Sequence, residues 1–421
     1  MPLQLPQSVL RPLSVLRAGP FRRYMLGGAV SLTGTWMQFM AQAWVMTSLT
    51  NSAFLYSLVN FASNVPSLLL FSIGGSSADR YDKRMILVAT QIVQMALAFL
   101  MGMLVLSHKL QIWHVVAIAL LTGIAAAFET PADSAMVPEL VDHSEIQQAL
   151  AIDRSIFHGT RLLGPAVAGV VVALWGAATA FFLNAMSFLG FIGALATIAS
   201  KPAQTPEEAE ERSSGIGPGF AHVRSDPPTF MMLALSALTT CTIFPPMVMM
   251  LPLYARYDLG QGAAALGTLM GVSGVGSLTG SILLLLAPRD RRISAMAVSA
   301  VGAGVCVLAL AFVHNVIAAG VLIGLLSIGT ASMIGLTNTI IQERAPDALR
   351  GRVSAIAGLA FFGLLPFSGL AVMAAADMFG RRTIMAVAAL IFIPGSAVIL
   401  AMTARRWRSV PAAERDGSLA V

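Results

Sequence analysis

Four ionisable side chains lie inside apolar stretches of the sequence, where charges are costly and usually serve a function. They are Glu129, Asp153, Arg154 and Arg161. The polar turn between the two stretches centres near Val141. Because each carboxylate is about twelve residues from that turn, both are expected at the same depth, roughly 18 Å along an antiparallel helix pair. The spacing therefore predicts one charge cluster, with Arg154 at the same level and Arg161 about two turns deeper.

Such a cluster could do two kinds of chemistry. A carboxylate that exchanges an arginine for a proton would couple a change of conformation to a proton gradient. The same charges could instead bind a charged group of a substrate. The alternative is a permanent salt bridge that only carries two helices through the membrane together.

The overall composition restricts the class of protein that holds these charges. Hydrophobic residues make up 57% of the 421 positions and charged residues only 11%, against about 25% charged residues in soluble domains. Membrane-embedded helices are therefore predicted, and the net charge of +6 is not read as a nucleic-acid signal. The two cysteines lie in apolar stretches, and the histidines and cysteines form no metal-binding pattern. We expect no cofactor and no enzymatic activity.

Apolar stretches long enough to cross a bilayer, roughly 17–25 residues, recur along the chain. The predicted spans are 24–47, 53–78, 85–106, 112–136, 147–173, 178–199, 229–253, 263–287, 294–313, 316–341, 353–376 and 383–402. The longest polar stretch inside the chain, 201–226, divides these twelve spans six and six. Five segments follow: a terminal segment 1–23, a bundle 24–200, a linker 201–228, a bundle 229–403 and a tail 404–421.

The two halves also repeat in sequence. The turn between spans 4 and 5 aligns without gaps with the turn between spans 10 and 11, at an offset of 204 residues, and the alignment pairs Glu139 with Glu343. Two parallel six-span halves are typical of one class of secondary transporter. The sequence thus predicts an all-α membrane protein of twelve transmembrane helices in two pseudo-symmetric six-helix bundles.

Basic residues fix the expected orientation. Of the 26 lysines and arginines, twenty lie in segments on the side of the N-terminus, four on the opposite side and two inside span 5. Because basic residues concentrate in cytoplasmic loops, both termini are expected in the cytoplasm. The chain is predicted to be a multi-pass protein of the bacterial cytoplasmic (inner) membrane.

Polar and aromatic residues within several spans could line a substrate cavity. The candidates are Trp36, Gln38, Gln42, Asn60, Asn64 and Phe361. The glutamines and the asparagines are each spaced by four residues, so each pair forms a stripe on one helix face. Such a lining suits an amphiphilic organic molecule better than a small ion. Polar stripes in a membrane can equally hold helices together.

The turn between spans 2 and 3 reads Gly-Ser-Ser-Ala-Asp-Arg-Tyr-Asp-Lys-Arg from Gly75 to Arg84. It resembles the signature turn of the major facilitator superfamily, with Asp79 and Arg80 followed by Lys83 and Arg84. The sequence around Trp36, Arg161-Leu-Leu-Gly-Pro and Pro346-Asp-Ala-Leu-Arg-Gly resembles the branch that contains the enterobactin exporter and macrolide efflux pumps.

This resemblance implies the superfamily fold, transport by alternating access, and a role for the turn as a gating latch. The Asp79 carboxylate would accept hydrogen bonds from the N-terminal amides of span 11, which begins near Arg352. The second half keeps the basic residues of the turn at Ala287–Arg292.

The leading hypothesis is a monomeric, proton-coupled exporter of an amphiphilic small molecule of drug or siderophore type. A second hypothesis keeps the fold and makes the protein an importer or facilitator of a siderophore or metal chelate. A third makes it a non-transporting membrane scaffold or sensor. The lipid bilayer is its expected environment in all three, and no nucleic acid is an expected partner.

Overall fold

The apolar stretches form long α-helices, since a helix is a structure that satisfies its own backbone hydrogen bonds inside a membrane. A computed structural model describes residues 15–16, 19–199, 217–285, 288 and 291–408. The predicted terminal segment up to 14, most of the predicted linker, Arg289 of the turn 287–292 and the tail beyond 408 lie outside these residues.

The helices before the linker are joined by short turns. Their bounds are α1 Gly19–Leu49, α2 Ala53–Leu69, α3 Phe71–Arg80, α4 Lys83–Leu106, α5 Ile112–Glu139, α6 Ile146–Trp175 and α7 Ala177–Ala196. Extensive packing of α1 against α6 and α7, and of α4 against α5 and α7, builds the core of this part.

The later helices begin with a nine-residue helix at the end of the predicted linker. They are α8 Gly217–Ser225, α9 Pro227–Thr242, α10 Ala263–Leu285, α11 Arg292–Leu310, α12 Val316–Arg344, α13 Arg350–Gly358, α14 Leu365–Phe379 and α15 Arg381–Arg408. Within the described ranges, ten helical segments are long and apolar enough to cross a membrane, or up to eleven if one bent pair is counted as a span.

The chain divides into two compact units whose boundaries do not follow the linker alone. The first unit comprises Met1–Asn51, Leu58–Ser213 and Gly260–Gly271; the second comprises Ser52–Ser57, Ser214–Leu259 and Val272–Val421. The first turn of α2 is therefore grouped with the second unit, and the first half of α10 with the first unit.

The predicted span 53–78 is a bent pair of helices instead of one straight helix. The axes of α2 and α3 differ by 56°. Pro66 lies inside α2 and lacks the backbone N–H of a regular helical turn. Beyond the bend, Gly74 lies directly against the carbonyl oxygen of Ala127 in α5, so a side chain at this position would clash with backbone.

Two other spans contain wide, π-helical turns close to prolines. After α9 the chain passes through π-helical turns at Pro245–Met249 and Tyr254–Asp258. Between α13 and α14 a π-helical turn spans Leu359–Gly363, just before Pro366. Wide turns of this kind are rare and occur frequently at functional sites. Because the second of the two turns after α9 ends at Asp258, the helical conformation continues beyond the predicted end of this span at 253.

A salt bridge recurs at equivalent places in the two units. In the first unit, Lys83 Nζ at the start of α4 lies 2.9 Å from Glu139 at the end of α5. In the second, Arg292 at the start of α11 lies 2.7 Å from Glu343 near the end of α12. The pairing of Glu139 with Glu343 in the sequence repeat thus corresponds to a shared structural role, and each unit has this ion pair.

Asp226 ties the start of α9 to the end of α12. Its carboxylate caps α9 by accepting from the backbone N–H of Thr229 at 3.1 Å, and it accepts two hydrogen bonds from the Arg344 guanidinium at 2.5 and 2.7 Å. Burial acts to raise the pKa of Asp226, but the hydrogen bonds from Arg344 and Thr229 outweigh it and hold the pKa below its usual range.

A close helix crossing of the first unit joins α6 to the first half of α10. A Cβ added at Gly267 would lie 2.6 Å from the Cα of Gly169 and 2.8 Å from the carbonyl oxygen of Pro165. Both contacts are with backbone, which cannot move aside as a side chain can. Glycine is therefore required here by the approach of two backbones.

We expect Gly267→Ala to destabilise the folded protein by about 1–3 kcal/mol, because the added methyl group overpacks a backbone contact. The measurement is the apparent melting temperature of the purified protein in detergent. Gly271→Ala is the matched control on the same helix, since its Cβ would meet only the Ala166 methyl at 3.4 Å. An equal loss in both variants would contradict the crossing described here.

We expect Asp226→Asn to destabilise the protein by about 1.5–3 kcal/mol near neutral pH, because it removes a charge-assisted pair while keeping a capping side chain. Since the folded pKa of Asp226 lies below the unfolded value of about 3.9, this stability is present above pH 4. It is lost as the pH falls through the folded pKa.

The difference in unfolding between wild type and this variant should therefore shrink below about pH 4, as measured by denaturation across pH. Asp347→Asn is the control, because the Asp347 side chain is 89% exposed beside Arg350 and should contribute less than about 1 kcal/mol. A difference between wild type and Asp226→Asn that grows on acidification would be inconsistent with this assignment.

Candidate functional site

Glu129 lies in α5 and is held by two glutamine amides of α4. Its Oε1 accepts from Gln91 Nε2 at 2.6 Å, and its Oε2 accepts from Gln94 Nε2. The oxygen of Gln91 in turn accepts from the Ser31 hydroxyl of α1 at 3.0 Å. Gln91 and Gln94 are both less than 10% exposed, so the carboxylate is embedded in a network that joins three helices.

One helical turn along α5, Asp133 extends this network. It accepts a hydrogen bond from the hydroxyl of Tyr24, which is 2% exposed in α1. Asp133 also lies within electrostatic range of Glu129, and of Asp153 and Arg154 on α6. The side chains of Arg154 and Asp153 are 4.0 Å apart. Asp133 therefore connects the charged groups of α5 and α6.

Arg161 has a different neighbour from the other members of the predicted cluster. Its guanidinium lies over the ring of Trp36, 5.3 Å from the centroid. Within the described ranges, neither Arg154 nor Arg161 forms a salt bridge with Glu129, whose hydrogen-bond partners are the two glutamines. The cluster therefore separates into an acidic network around Glu129 and an arginine on an aromatic platform.

The polar residues of α1 and α2 predicted to line a cavity differ in their contacts. Gln38 accepts a hydrogen bond of 2.7 Å from Asn184 of α7, so it also joins two helices. Gln42 and Asn60 are half-buried. Asn64 is exposed and donates to the carbonyl oxygen of Asn60 at 2.8 Å.

Phe361 lies in the second unit, within the π-helical turn before α14. Its ring packs edge-on against Phe244 at 4.7 Å and Phe362 at 4.9 Å. An aromatic cluster of this kind offers an apolar surface without a charged group.

The segment from Gly75 to Arg84, predicted as a turn, is helical as far as Arg80, and only Tyr81 and Asp82 link α3 to α4. Asp82 caps α4 by accepting from the backbone N–H of Arg84 at 3.0 Å. Lys83, 7% exposed, forms the salt bridge with Glu139 described above, and the Arg84 guanidinium donates to the carbonyl oxygen of Ala196 at 3.4 Å. Asp79 is half-buried near the end of α3 and Arg80 is exposed.

The described residues contain no group of three histidine, cysteine, aspartate or glutamate side chains placed to hold a metal ion. What the first unit does contain is a set of membrane carboxylates held by neutral donors. In a comparison with known sequences, the profile of the transmembrane secretion effectors matches residues 10–417. The chain belongs to that family of major facilitator transporters. The family resemblance predicted from the sequence is thereby confirmed, and the protein is a membrane transporter, not an enzyme.

Curated relatives of this transporter align over most of its length. The staphyloferrin A transporter of Staphylococcus aureus is 26% identical over 82% of the chain and 87% of its own length. The multidrug efflux pump Tap of Mycolicibacterium fortuitum is 22% identical over 81% of the chain and 85% of its own length. The macrolide efflux protein A of Streptococcus pyogenes is 25% identical over 46% of each chain.

Solved structures show the same fold at low sequence identity. A bacterial homologue of the human lysosomal transporter Spinster matches with a TM-score of 0.69 and 13% identity, over 92% of this chain and 97% of its own. A bacterial homologue of the iron transporter ferroportin matches with a TM-score of 0.68 and 15% identity, over 93% and 99%. The all-helical transporter architecture is thus common to all three.

Sequence reasoning did not include the residues that contact Glu129 and Asp133. Gln91 and Gln94 lie three residues apart in an otherwise apolar span, which was a signal for a polar helix face. Tyr24 gave no comparable signal, because a tyrosine at the start of a span is common at membrane interfaces. Its hydrogen bond to Asp133 depends on tertiary packing of α1 against α5.

Proposed function

We propose that this transporter is a secondary active exporter that couples the outward movement of an amphiphilic small molecule to proton entry by alternating access. The substrate class follows its relatives, which are named for macrolide efflux, multidrug efflux and transport of the siderophore staphyloferrin A. The observation that carries the proton coupling is Glu129, a membrane carboxylate held by two neutral amides.

Glu129 is suited to this role because the groups that contact it do not fix its charge. The amides of Gln91 and Gln94 donate to a carboxylate, and an amide oxygen can accept from a carboxylic acid after rotation. Asp133 lies within electrostatic range, and two neighbouring carboxylates can share one proton. A permanent salt bridge would instead favour a single charge state.

Asp153 and Arg154 complete the proposed coupling group. Arg154 is 69% exposed and interacts electrostatically with Asp133, so movement of α6 relative to α5 would change the charge that faces the acidic pair. Proton binding on α5 and a conformational change that moves α6 are coupled in this proposal. Arg161 is assigned to the substrate instead, as argued below.

For the membrane topology we propose twelve spans, six on either side of the linker, with both termini in the cytoplasm of a bacterial cell. The helix α1, 31 residues long, supplies a further span because it is about 46 Å in length. The bent pair α2 and α3 forms another. The segments 1–23, 201–228 and 404–421 would then be cytoplasmic, and we propose that the transporter works as a monomer.

The substrate cavity and the gate are assigned as follows. We propose that Trp36, Gln42, Asn60 and Asn64 face the substrate in the first unit and Phe361 in the second, while Gln38 has a structural part through Asn184. The turn at Gly75, Asp79, Arg80, Lys83 and Arg84 is proposed as a latch. Its basic residues anchor it to Glu139 and Ala196, which leaves Asp79 to engage the amides of another helix in one state.

Import or facilitated diffusion of a siderophore or metal chelate is the second candidate. The observation that favours it is the 26% identity with a protein named simply as a staphyloferrin A transporter. The same proton site would serve either direction. The family match removes the ground for a non-transporting scaffold or sensor.

The test is substrate-dependent proton flux in proteoliposomes, with rhodamine 6G, erythromycin and dansylglycine as probes and a pH-sensitive dye inside. We expect at least one probe to drive proton movement in the wild type. Glu129→Gln should slow this movement by about tenfold or more, because the amide cannot carry a proton. Glu145→Gln, the same change in the turn before α6, should leave the flux unchanged.

Two results would count against the proposal. If no probe moves protons in the wild type, proton-coupled transport of amphiphiles is wrong. If Glu129→Gln and Glu145→Gln behave alike, transport stands and the coupling site lies elsewhere.

A further inference from the structure

Arg161 has no carboxylate counter-ion within the part of the chain that the structure describes. Its guanidinium lies over the Trp36 ring, and no carboxylate among the described residues forms a salt bridge with it. A charge inside a membrane protein normally pairs with another group or faces water. The absence of a carboxylate partner for the guanidinium among the described residues is the first indication that Arg161 binds an anion from outside the protein.

The aromatic platform beneath Arg161 is built rigidly. Trp36 packs edge-on against Phe39 at 5.7 Å and Phe157 at 6.0 Å. Gly164 lies directly against the Trp36 side chain, where any larger residue would clash. The indole N–H of Trp36 is buried and has no hydrogen-bond partner among the described residues, so a second donor is left for a ligand oxygen.

Two further basic residues extend the face of α6 that carries Arg161. Arg154, His158 and Arg161 are spaced four and three residues apart, which places them on one helix face over about 10 Å. All three are exposed in the described structure, and His158 interacts electrostatically with both arginines. Asp153 partly balances Arg154 at 4.0 Å, so the positive charge is least compensated at Arg161.

From these observations we infer that Arg161, on its Trp36 platform, binds a carboxylate group of the transported amphiphile, with Arg154 extending the basic face. The guanidinium presents a planar pair of donors that matches a carboxylate. The aromatic rings beside it suit the apolar part of the same molecule. This inference rests on the proposed transport function and narrows the substrate to acidic amphiphiles.

The test compares two probes that differ only in charge, dansylglycine and its neutral amide, by fluorescence titration of the full-length protein in nanodiscs. The wild type should bind the carboxylate about tenfold more tightly or better. Arg161→Gln should abolish this preference, and Arg161→Lys should keep part of it because the charge remains without the fork. Arg22→Gln, which removes an exposed arginine at the start of α1, should have no effect.

A wild type that does not prefer the carboxylate, or an Arg161→Gln variant that keeps the preference, would overturn the inference. Either result leaves the proton-flux experiment with Glu129→Gln unaffected, so the two proposals fail separately. Arg161→Lys keeps the test decisive if Arg161→Gln does not fold.

A different observation concerns Asp377, near the end of α14. Its Oδ1 accepts from the backbone N–H of Ala53 at 2.6 Å, and its Oδ2 accepts from the Ser52 hydroxyl at 2.5 Å and the backbone N–H of Phe54 at 3.1 Å. One carboxylate thus caps the N-terminus of α2, where backbone donors and the helix dipole favour a negative charge.

This cap lies wholly within the second unit, because Ser52–Ser57 are grouped there while the rest of α2 belongs to the first. Any relative movement of the two units must therefore break the cap or bend α2 beyond Ser57. We propose that Asp377 is a conformational latch at the membrane face opposite to the Asp79 turn. Asp79 at the end of α3 would then hold the start of span 11, and Asp377 near the end of α14 would hold the start of α2.

The test is a distance measurement by pulsed electron resonance between spin labels at Asn51 and Met378, in a background with Cys241→Ser and Cys306→Ser. Asp377→Asn should at least double the population at longer distance, and Ser52→Ala, which removes one of the three bonds, should give a smaller shift. Asp347→Asn should give none. An unchanged distance distribution in both Asp377→Asn and Ser52→Ala would overturn the proposal.

Discussion

The absence of water in the membrane is the constraint on which this structure depends, because every polar group there needs a partner supplied by the protein. The acidic residues show how the chain meets it. Glu129 is held by amides and Asp133 by a tyrosine hydroxyl. Asp258, at the end of a span, accepts from Arg381 at 2.8 Å. Each partner belongs to another helix, so satisfying the charge also fixes the packing.

The kind of partner separates structural carboxylates from functional ones. A guanidinium or ammonium partner, as at Asp226 and Glu139, favours one charge state and gives a permanent joint. Neutral donors, as at Glu129, are compatible with both the charged and the neutral state of the carboxyl group. The arginine on Trp36 is the complementary case, a cation whose partner among the described residues is an aromatic ring. The proposed mechanism follows from this division between paired charges and charges held by neutral groups.

The long helices could largely be predicted from sequence, because the length of an apolar stretch is a local property. The equal depth expected for Glu129 and Asp153 stays a prediction. What sequence could not give is rotation about each helix axis. That angle directs Glu129 to glutamines and Arg161 to a tryptophan, and it is set by packing between distant segments. The contact of Gly74 with α5 beyond the bend likewise joins distant segments.

The helices α2 and α10 each begin in one unit and end in the other. A half-molecule cut at the linker would therefore lack contacts that its own residues require. The N-terminal half would have uncapped amides at Ala53 and Phe54 and an uncovered backbone surface at Gly169, while the C-terminal half would lack a backbone partner for Gly267. Separately expressed halves should consequently recover a stable fold only when produced together, and a gene encoding one half would not specify an independent protein.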